Sequence, residues 1–502
     1  LAGFYGWVLY RFHWHFDPCA ENRIVNRRHL LLLAIVASLL SSVVAITNGD
    51  AAETNWPQWR GPLGTGEAPA TTPPVKWDNK TNIQWQVRIP GDGTSTPIIW
   101  KDQIFIQTAV PAKGESSAPA AQADDFRKGK GGPDGKGPPP GKGPPPGKGF
   151  GKGPPGGKGP PGAKGGPPPT EPYQFVLMSI DRTSGKTQWS KVCREEVPHE
   201  GFRPGDGSYA ASSAITDGEH VFAFFGSRGL YCYDLAGNLK WEKEFGQQHP
   251  RNGFGEGATP GLFGNTIVVQ WDHDGGPGFV AAVDKRNGKE LWRTPRDEKT
   301  VWSTPVIVEQ NGKVQVILGA TNRNRSYDLA TGKEIWESEG LTTNVIPTGF
   351  TRDELVYLTS GYEGNKLLAI KLASSGDANK SIAWRYDRDT PYVPSPLLSD
   401  HRLYFLKRND NILTCLDSRT GKPYYASQRI EGLGTVYASP VAAGGYVYFV
   451  NRDGNAVVIK DSDKLEIIST NDLNDPTDAS PAVVGNQLFL RSRKNLYCIA
   501  EK

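Results

Sequence analysis

The stretch Trp271-Asp272-His273-Asp274-Gly275-Gly276 gathers more ligating groups than any other short segment of the chain. Two carboxylates flank an imidazole, and the glycines permit a sharp bend, so Asp272 and Asp274 are candidate Ca2+ ligands. The spacing departs from the EF-hand loop and has no closing Glu, and the same residues read first as a polar turn between two strands. A second group is spread over several segments. Gly201-Phe202-Arg203-Pro204-Gly205-Asp206-Gly207-Ser208-Tyr209 and Arg251-Asn252-Gly253-Phe254-Gly255-Glu256-Gly257 each precede an apolar strand, and Trp302, Asn344, Tyr392 and Tyr437 occupy comparable places further on. The candidates are Tyr209, Asn252, Glu256, Trp302, Asn344, Tyr392 and Tyr437. Aromatic faces mixed with amide, carboxylate and phenol groups suit a peptide, a glycan or a small ligand, although loops of this kind also serve as solvated turns.

Motifs for hydrolytic or redox work are missing from the sequence. His199, His220, His249 and His401 stand in four separate contexts, with no HExxH pair, and there is no GxSxG nucleophile elbow. Arg296-Asp297-Glu298-Lys299 reads as a surface ion-pair cluster. The five cysteines are Cys19, Cys193, Cys232, Cys415 and Cys498. None is near another and no CxxC exists, which argues against a metal finger or a redox pair. Cys232, Cys415 and Cys498 lie in apolar strand contexts and read as buried thiols. No catalytic residue is assigned.

The elements that must position these groups are short strands. Ala281-Ala282-Val283-Asp284-Lys285-Arg286-Asn287-Gly288-Lys289-Glu290-Leu291-Trp292 reads as strand, tight turn and strand. Asp opens the turn, Asn-Gly suggests a two-residue hairpin, and Trp ends on a strand where it needs a neighbour. The unit recurs as Asp181 with Trp189, Asp234 with Trp241, and Asp328 with Trp336. Trp384 closes a fifth unit. The sixth keeps Asp417 and Gly421 but has Tyr424-Tyr425 in place of Trp, and the seventh, around Asp461, has no Trp. Strand starts recur at Thr96-Pro97, Ser212-Ser213-Ala214, Thr259-Pro260, Thr304-Pro305, Ile346-Pro347, Ser395-Pro396, Ser439-Pro440 and Ser480-Pro481. From Ala214 they lie 46, 45, 42, 49, 44 and 41 residues apart. Four strands in a period of forty-odd residues are the pattern of propeller blades. The eighth unit stops after its third strand, Leu496-Tyr497-Cys498-Ile499-Ala500. The early strand around Trp85 is the surplus one, so pairing the two closes the ring and hides both edges. The expectation is an all-β, eight-bladed propeller of four-stranded blades.

Outside the ring, Arg27-Arg28-His29 and the apolar run Leu30 to Ile46 have the form of a secretory signal peptide or an uncleaved anchor. Residues 1–52 are therefore read as leader, with 1–26 as an over-extended gene start. Residues 53–80 form an entry segment in which Trp56-Pro57-Gln58-Trp59 caps one face or grips a ligand, and 81–502 form the propeller. Residues 111–172 interrupt it with Gly-Lys-Gly-Pro-Pro-Pro runs that hold Lys136, Lys142, Lys148, Lys152, Lys158 and Lys164. Almost devoid of apolar side chains, this insertion is expected to be disordered, as either a tolerated surface loop or a cationic contact for an anionic polymer or surface. The chain has 502 residues and a formal charge of +4, which those lysines more than account for. No nucleic-acid surface is expected.

The segments 180–189, 283–292 and 327–336 resemble the repeat of pyrroloquinoline-quinone-type (PQQ-like) propellers, over roughly residues 80–502. The resemblance implies that Trp85, Trp189, Trp241, Trp292, Trp336 and Trp384 dock neighbouring blades. It offers two branches. Quinoprotein dehydrogenases hold PQQ and Ca2+ at the ring centre and oxidise alcohols or sugars. Propellers such as BamB carry no cofactor and bind protein. Many of the dehydrogenases carry a vicinal cysteine pair, whereas here no two cysteines are adjacent and the blades are bare. The reading is a non-catalytic, monomeric binding module of the periplasm or cell envelope, with a protein or envelope polymer as partner and no cofactor. The alternative is a PQQ- and Ca2+-dependent oxidoreductase.

Overall fold

The computed structural model describes residues 55–68, 70–114, 165–203 and 205–501. The leader, including Cys19, and all six insertion lysines lie outside these residues. Eight antiparallel sheets follow one another along the chain. Blade one is built from Ile98–Trp100, Gln103–Pro111, Tyr173–Asp181 and Thr187–Glu196, counted outward from the channel. Blade eight combines Ala482–Val484, Gln487–Arg491 and Asn495–Ile499 with the early strand Ile83–Arg88, in which Trp85 pairs with Cys498. The ring is therefore an eight-bladed propeller closed by its N-terminal strand.

Sequence pattern explains the placement of each strand within a blade. Outermost strands such as Ile83–Arg88 alternate between partly covered and exposed residues, because only one face meets the next blade. Middle strands such as Gly278–Asp284 are buried throughout and correspondingly apolar, being sandwiched between two blades. Cys232, Cys415 and Cys498 are buried free thiols on such strands. The insertion leaves between the second and third strands of blade one. Its base is fastened by the register pair Pro111 with Tyr173, by Ala112 N–H donating to the Pro172 carbonyl, and by an ion pair of Lys113 with Glu171.

The hairpins differ from the expected two-residue turn. Asp284 N–H donates to the Lys289 carbonyl at 2.8 Å, so four residues lie between them. Only Gly288 has positive φ (70°), whereas Asn287 uses its side chain to accept from Lys289 N–H. Gly288 is required for a second reason: a Cβ there would meet the Trp241 ring at 2.7 Å. The same meeting of a hairpin glycine with the preceding blade's Trp recurs at Gly185 with Trp85, Gly237 with Trp189, Gly332 with Trp292 and Gly421 with Trp384. Each indole Nε1 donates to a carbonyl of that hairpin: Trp85 to Arg182, Trp189 to Leu235, Trp241 to Lys285, Trp292 to Leu329 and Trp384 to Ser418.

Trp336 departs from this rule. Its Nε1 donates to Gln315 of its own blade, and Gln315 in turn reaches the Leu372 carbonyl of blade five. The extra strand Gly376–Asp377 covers it from outside. In blades six and seven the register position of Trp is held by Tyr425 and Ser469. Beside Ser469 the entry segment supplies the missing indole: Trp77 stacks on Tyr448, with its backbone N–H on Asn471 Oδ1.

Candidate functional site

A belt of hydroxyls circles the central channel at the start of the innermost strands. Thr96 N–H donates to Ser213 Oγ, Ser213 N–H to Thr259 Oγ1, Thr304 N–H to Thr348 Oγ1, Thr348 N–H to Ser395 Oγ, Ser395 N–H to Ser439 Oγ and Ser439 N–H to Ser480 Oγ, at 2.9–3.1 Å. Each blade contributes one small hydroxyl residue, and six of the eight accept a backbone proton from the blade before, the exceptions being Thr96 and Thr304. These are the residues that precede Pro in the repeat, except in blade two, where Ser213 precedes Ala214, and in blade five, where Thr348 follows Pro347. All eight are buried. Six of these oxygens accept a backbone N–H and Thr304 Oγ1 accepts from Trp59, and accepting leaves each O–H available as a donor. Among the described residues none of the eight donates to a protein acceptor.

The entry segment closes one end of this channel, as expected of a cap. It bonds to the far ends of the innermost strands: Asn55–Trp56 pairs with Ile99 and Trp100, Thr216 N–H reaches the Pro57 carbonyl, and Glu67–Ala68 pairs with Ala442 and Ala443. Trp59 lies between, with Nε1 on Thr304 Oγ1 at 3.2 Å. Arg60 is almost fully buried and donates to the carbonyls of Thr65, Pro396 and Pro440. Among the described residues no carboxylate pairs with it, and burial alone brings its pKa down to about 9.

What remains is a cup of about 240 Å³, with Trp59 and seven of the eight belt hydroxyls in its lining. Glu256, Trp302, Tyr392 and Tyr437 line it too, joined by Phe254 and Asp478. The structure thus brings four of the seven rim candidates together. Asn344 sits one layer back, its Nδ2 on the Tyr392 hydroxyl at 3.4 Å. Tyr209 instead packs against Tyr173, Phe175 and Phe202, and burial pushes its phenol up to about 12. Asn252 lies apart in a short turn with φ 55°.

The loop leading to blade two reaches over the cup. Asp206 is held by Arg452 of blade seven at 2.8 Å and by Arg203 at 2.8 Å, and the Gly205 carbonyl accepts from Arg493 of blade eight. Arg452 also lies over the Tyr437 ring at 3.9 Å. Asp478 takes both Arg452 and Arg493 at 2.7 Å. Glu256 accepts from Ser227 N–H, the Ser227 hydroxyl and Arg228. Every carboxylate of the lining is therefore tied to a guanidinium. Sequence reasoning missed this clamp because its partners lie 246 and 288 residues apart.

The Asp272–Asp274 segment is not a Ca2+ loop. Asp272 is buried and spends both oxygens on Arg296 at 2.9 and 3.1 Å, with Gln270 on one of them. Asp274 turns to Thr300, accepting from its N–H and hydroxyl. The two carboxylates serve separate partners, and His273 accepts from His249 N–H. Arg296–Lys299 is likewise no surface cluster: Arg296 is fully buried with Asp272, and Glu298 is buried against Asn322 and Arg323 N–H, with burial raising its pKa. A grouping with metal-ligand spacing does occur at His199, Glu200 and His249. It joins positions with no sequence motif, and Arg228 sets a cation 3.5 Å from His199 Nδ1.

Residues 276–502 match the family model described as outer membrane protein assembly factor BamB. The match takes in the later blades of the eight-bladed ring. No curated protein matches the chain. Among solved structures, europium-containing methanol dehydrogenase aligns with a TM-score of 0.55 at 9% identity, over 89% of this chain and 98% of its own. Quinohemoprotein alcohol dehydrogenase ADHIIG from Pseudomonas putida HK5 gives 0.51 at 9%, over 91% and 81%. BamB from Moraxella catarrhalis gives 0.46 at 15%, over 65% and 89%. At these identities the likeness speaks to fold alone. The lining of the cup does not fit a PQQ–Ca2+ pair. Ca2+ needs six to eight oxygen ligands, whereas Asp206, Glu256 and Asp478 are each committed to arginine.

Among the described residues, no helix is long and apolar enough to cross a membrane.

Proposed function

We propose that the protein is an exported, monomeric, non-catalytic binding module of the cell envelope that recognises a protein or polymer partner through the cup. The carrying observation is that each carboxylate in the cup is neutralised by an arginine. Such pairs hold loops and shape a surface, but they leave no acid or base free to move a proton. The aromatic faces of Trp302, Tyr392 and Tyr437 supply contact area at low entropic cost. The match to the BamB family model supports a role in the envelope. The form of the leader supports export, and the six insertion lysines add attraction to an anionic surface.

Two measurements test this. Envelope extract is passed over the immobilised protein and over an Ala211→Trp variant whose cup is filled. Partner retained by the first and lost by the second is the expected result. Purified protein is also incubated with PQQ and Ca2+. A quinone absorbance that survives gel filtration, with alcohol- or sugar-dependent dye reduction, would overturn the proposal in favour of an oxidoreductase.

A further inference from the structure

The base of the cup has an unbalanced chemistry. Seven buried hydroxyl residues line it, six of which accept one hydrogen bond, and none of which donates to a protein acceptor among the described residues. Directly beneath blades six and seven lies Arg60, which contacts the carbonyls of Pro396 and Pro440, the residues that follow belt members Ser395 and Ser439. Three carbonyls satisfy hydrogen-bond donors of this guanidinium, yet they carry no charge to set against it. A buried cation with no counter-charge is costly. Beside blade eight, Arg491 is a second buried guanidinium, with Asp92 near enough to act on it electrostatically. It donates to the Ser95 carbonyl and hydroxyl and to the Gln107 carbonyl, and its Nε has no partner. It stands next to belt residue Thr96. The uncommitted belt O–H groups therefore stand next to residues that hold Arg60, a buried cation with no carboxylate partner among the described residues.

We propose that the base of the cup seats a single carboxylate group, borne by a small molecule or by the C-terminus of a partner chain. The belt O–H groups donate to its oxygens, Arg60 supplies the balancing charge, and Trp59, Phe254, Trp302 and Tyr392 surround the attached apolar body. The cup's volume of about 240 Å³ suits a group of one ring or one side chain. A carboxylate fits better than a phosphate. Phosphate sites draw on backbone N–H groups and arginine forks, whereas here the belt N–H groups of six blades are spent on the neighbouring hydroxyls. One unpaired guanidinium at the base also matches one negative charge. The three acids at the mouth are no obstacle, because Arg203, Arg228, Arg452 and Arg493 neutralise them. This inference rests on the binding-module reading and names the chemical group that the cup recognises.

Titration calorimetry on the full protein tests it with two matched pairs: benzoate against benzamide, and acetyl-Ala-Phe against its C-terminal amide. Each acid is expected to bind at least tenfold more tightly than its amide. Binding of both acids identifies a small carboxylate as sufficient, and binding of the peptide acid alone identifies a chain end. Equal affinity for acid and amide, or no binding of either acid, overturns the proposal. Partner capture by the cup can still succeed in that case, so the two readings fail separately. Arg60→Gln is expected to lower acid affinity about tenfold with amide affinity unchanged. Because Arg60 also pins the entry segment, Thr96→Val provides the second variant: it removes one belt O–H whose oxygen accepts no bond within the described residues, and acid affinity should fall several-fold. Unchanged acid affinity in a folded Thr96→Val protein also counts against the seat.

Discussion

Replacing Gly332 with alanine isolates what a blade seam is worth. Gly332 has φ 70°, and a Cβ there would lie 2.5 Å from Trp292 Cε3, 2.6 Å from Cδ2 and 2.9 Å from Thr294 Oγ1. Gly312, in the same blade, has φ 76° and nothing within 4 Å of its Cβ direction. For both, alanine in the left-handed region costs about 1–2 kcal/mol, partly offset by about 0.4–1 kcal/mol from the stiffer unfolded chain. Gly312→Ala should therefore lose about 1 kcal/mol. Gly332→Ala must also push the indole aside. That breaks the 2.7 Å bond from Trp292 Nε1 to the Leu329 carbonyl, costing about 0.5–1.5 kcal/mol, and overpacks the seam at about 1–3 kcal/mol. The expected gap between the two variants is about 2–4 kcal/mol by urea unfolding, with altered Trp fluorescence only in Gly332→Ala. Equal losses in the two variants would refute the idea that the hairpin glycine exists to admit the neighbouring tryptophan.

Three other outcomes are expected. Asp272→Asn strips the counter-charge from fully buried Arg296 and should cost about 3–5 kcal/mol, whereas Glu290→Gln, which loosens the partly exposed pair with Arg293, should change urea stability by less than about 1 kcal/mol. Arg286 beside Asp284 and Arg419 beside Asp417 bring those carboxyls down to about 2. A lowered native pKa gives stabilisation that is complete above the ordinary aspartate range and is lost as pH falls through about 2. The urea midpoint should thus drop across that window, and less steeply in a protein carrying Asp284→Asn and Asp417→Asn. Burial raises the thiols of Cys193, Cys232 and Cys498 to about 12 and that of Cys415 further. Peptide mapping after alkylation at pH 8 should find these four unlabelled in the native protein and labelled in urea.

The repeat made the ring legible. Four-strand units of forty-odd residues, a missing final strand and a surplus early one lead directly to eight blades, and Trp85 does pair with Cys498. Local chemistry was harder to read. The Ser and Thr before Pro looked like strand punctuation, and only closure of the ring shows that they bond to one another across blades. Trp336 carries the same motif as Trp292, but the extra strand Gly376–Asp377 turns its seam into a different arrangement. Asp272 looked like a ligand because its partner, Arg296, reaches it across Gly278 from the blade's outermost strand, and that proximity is set by register rather than by sequence spacing. Glu256, Trp302, Tyr392 and Tyr437 could be chosen from the loops' common place in the repeat, whereas Tyr209 and Asn252 share that place and are led elsewhere by local aromatic packing and by a tight turn.

The closing blade has a consequence for biosynthesis. Strand Ile83–Arg88 is made early, and its partner Asn495–Ile499 is made about four hundred residues later, as in the contact of Cys498 with Gln84. During translation a waiting strand therefore stays without a neighbour while most of the blades stack. A ribosome that stalls or a protease that trims within the last blade leaves open backbone on both sides of the gap, the kind of surface that recruits chaperones or self-associates. The join thus depends on synthesis through Asn495–Ile499: a chain cut short ahead of it leaves Ile83–Arg88 without its partner.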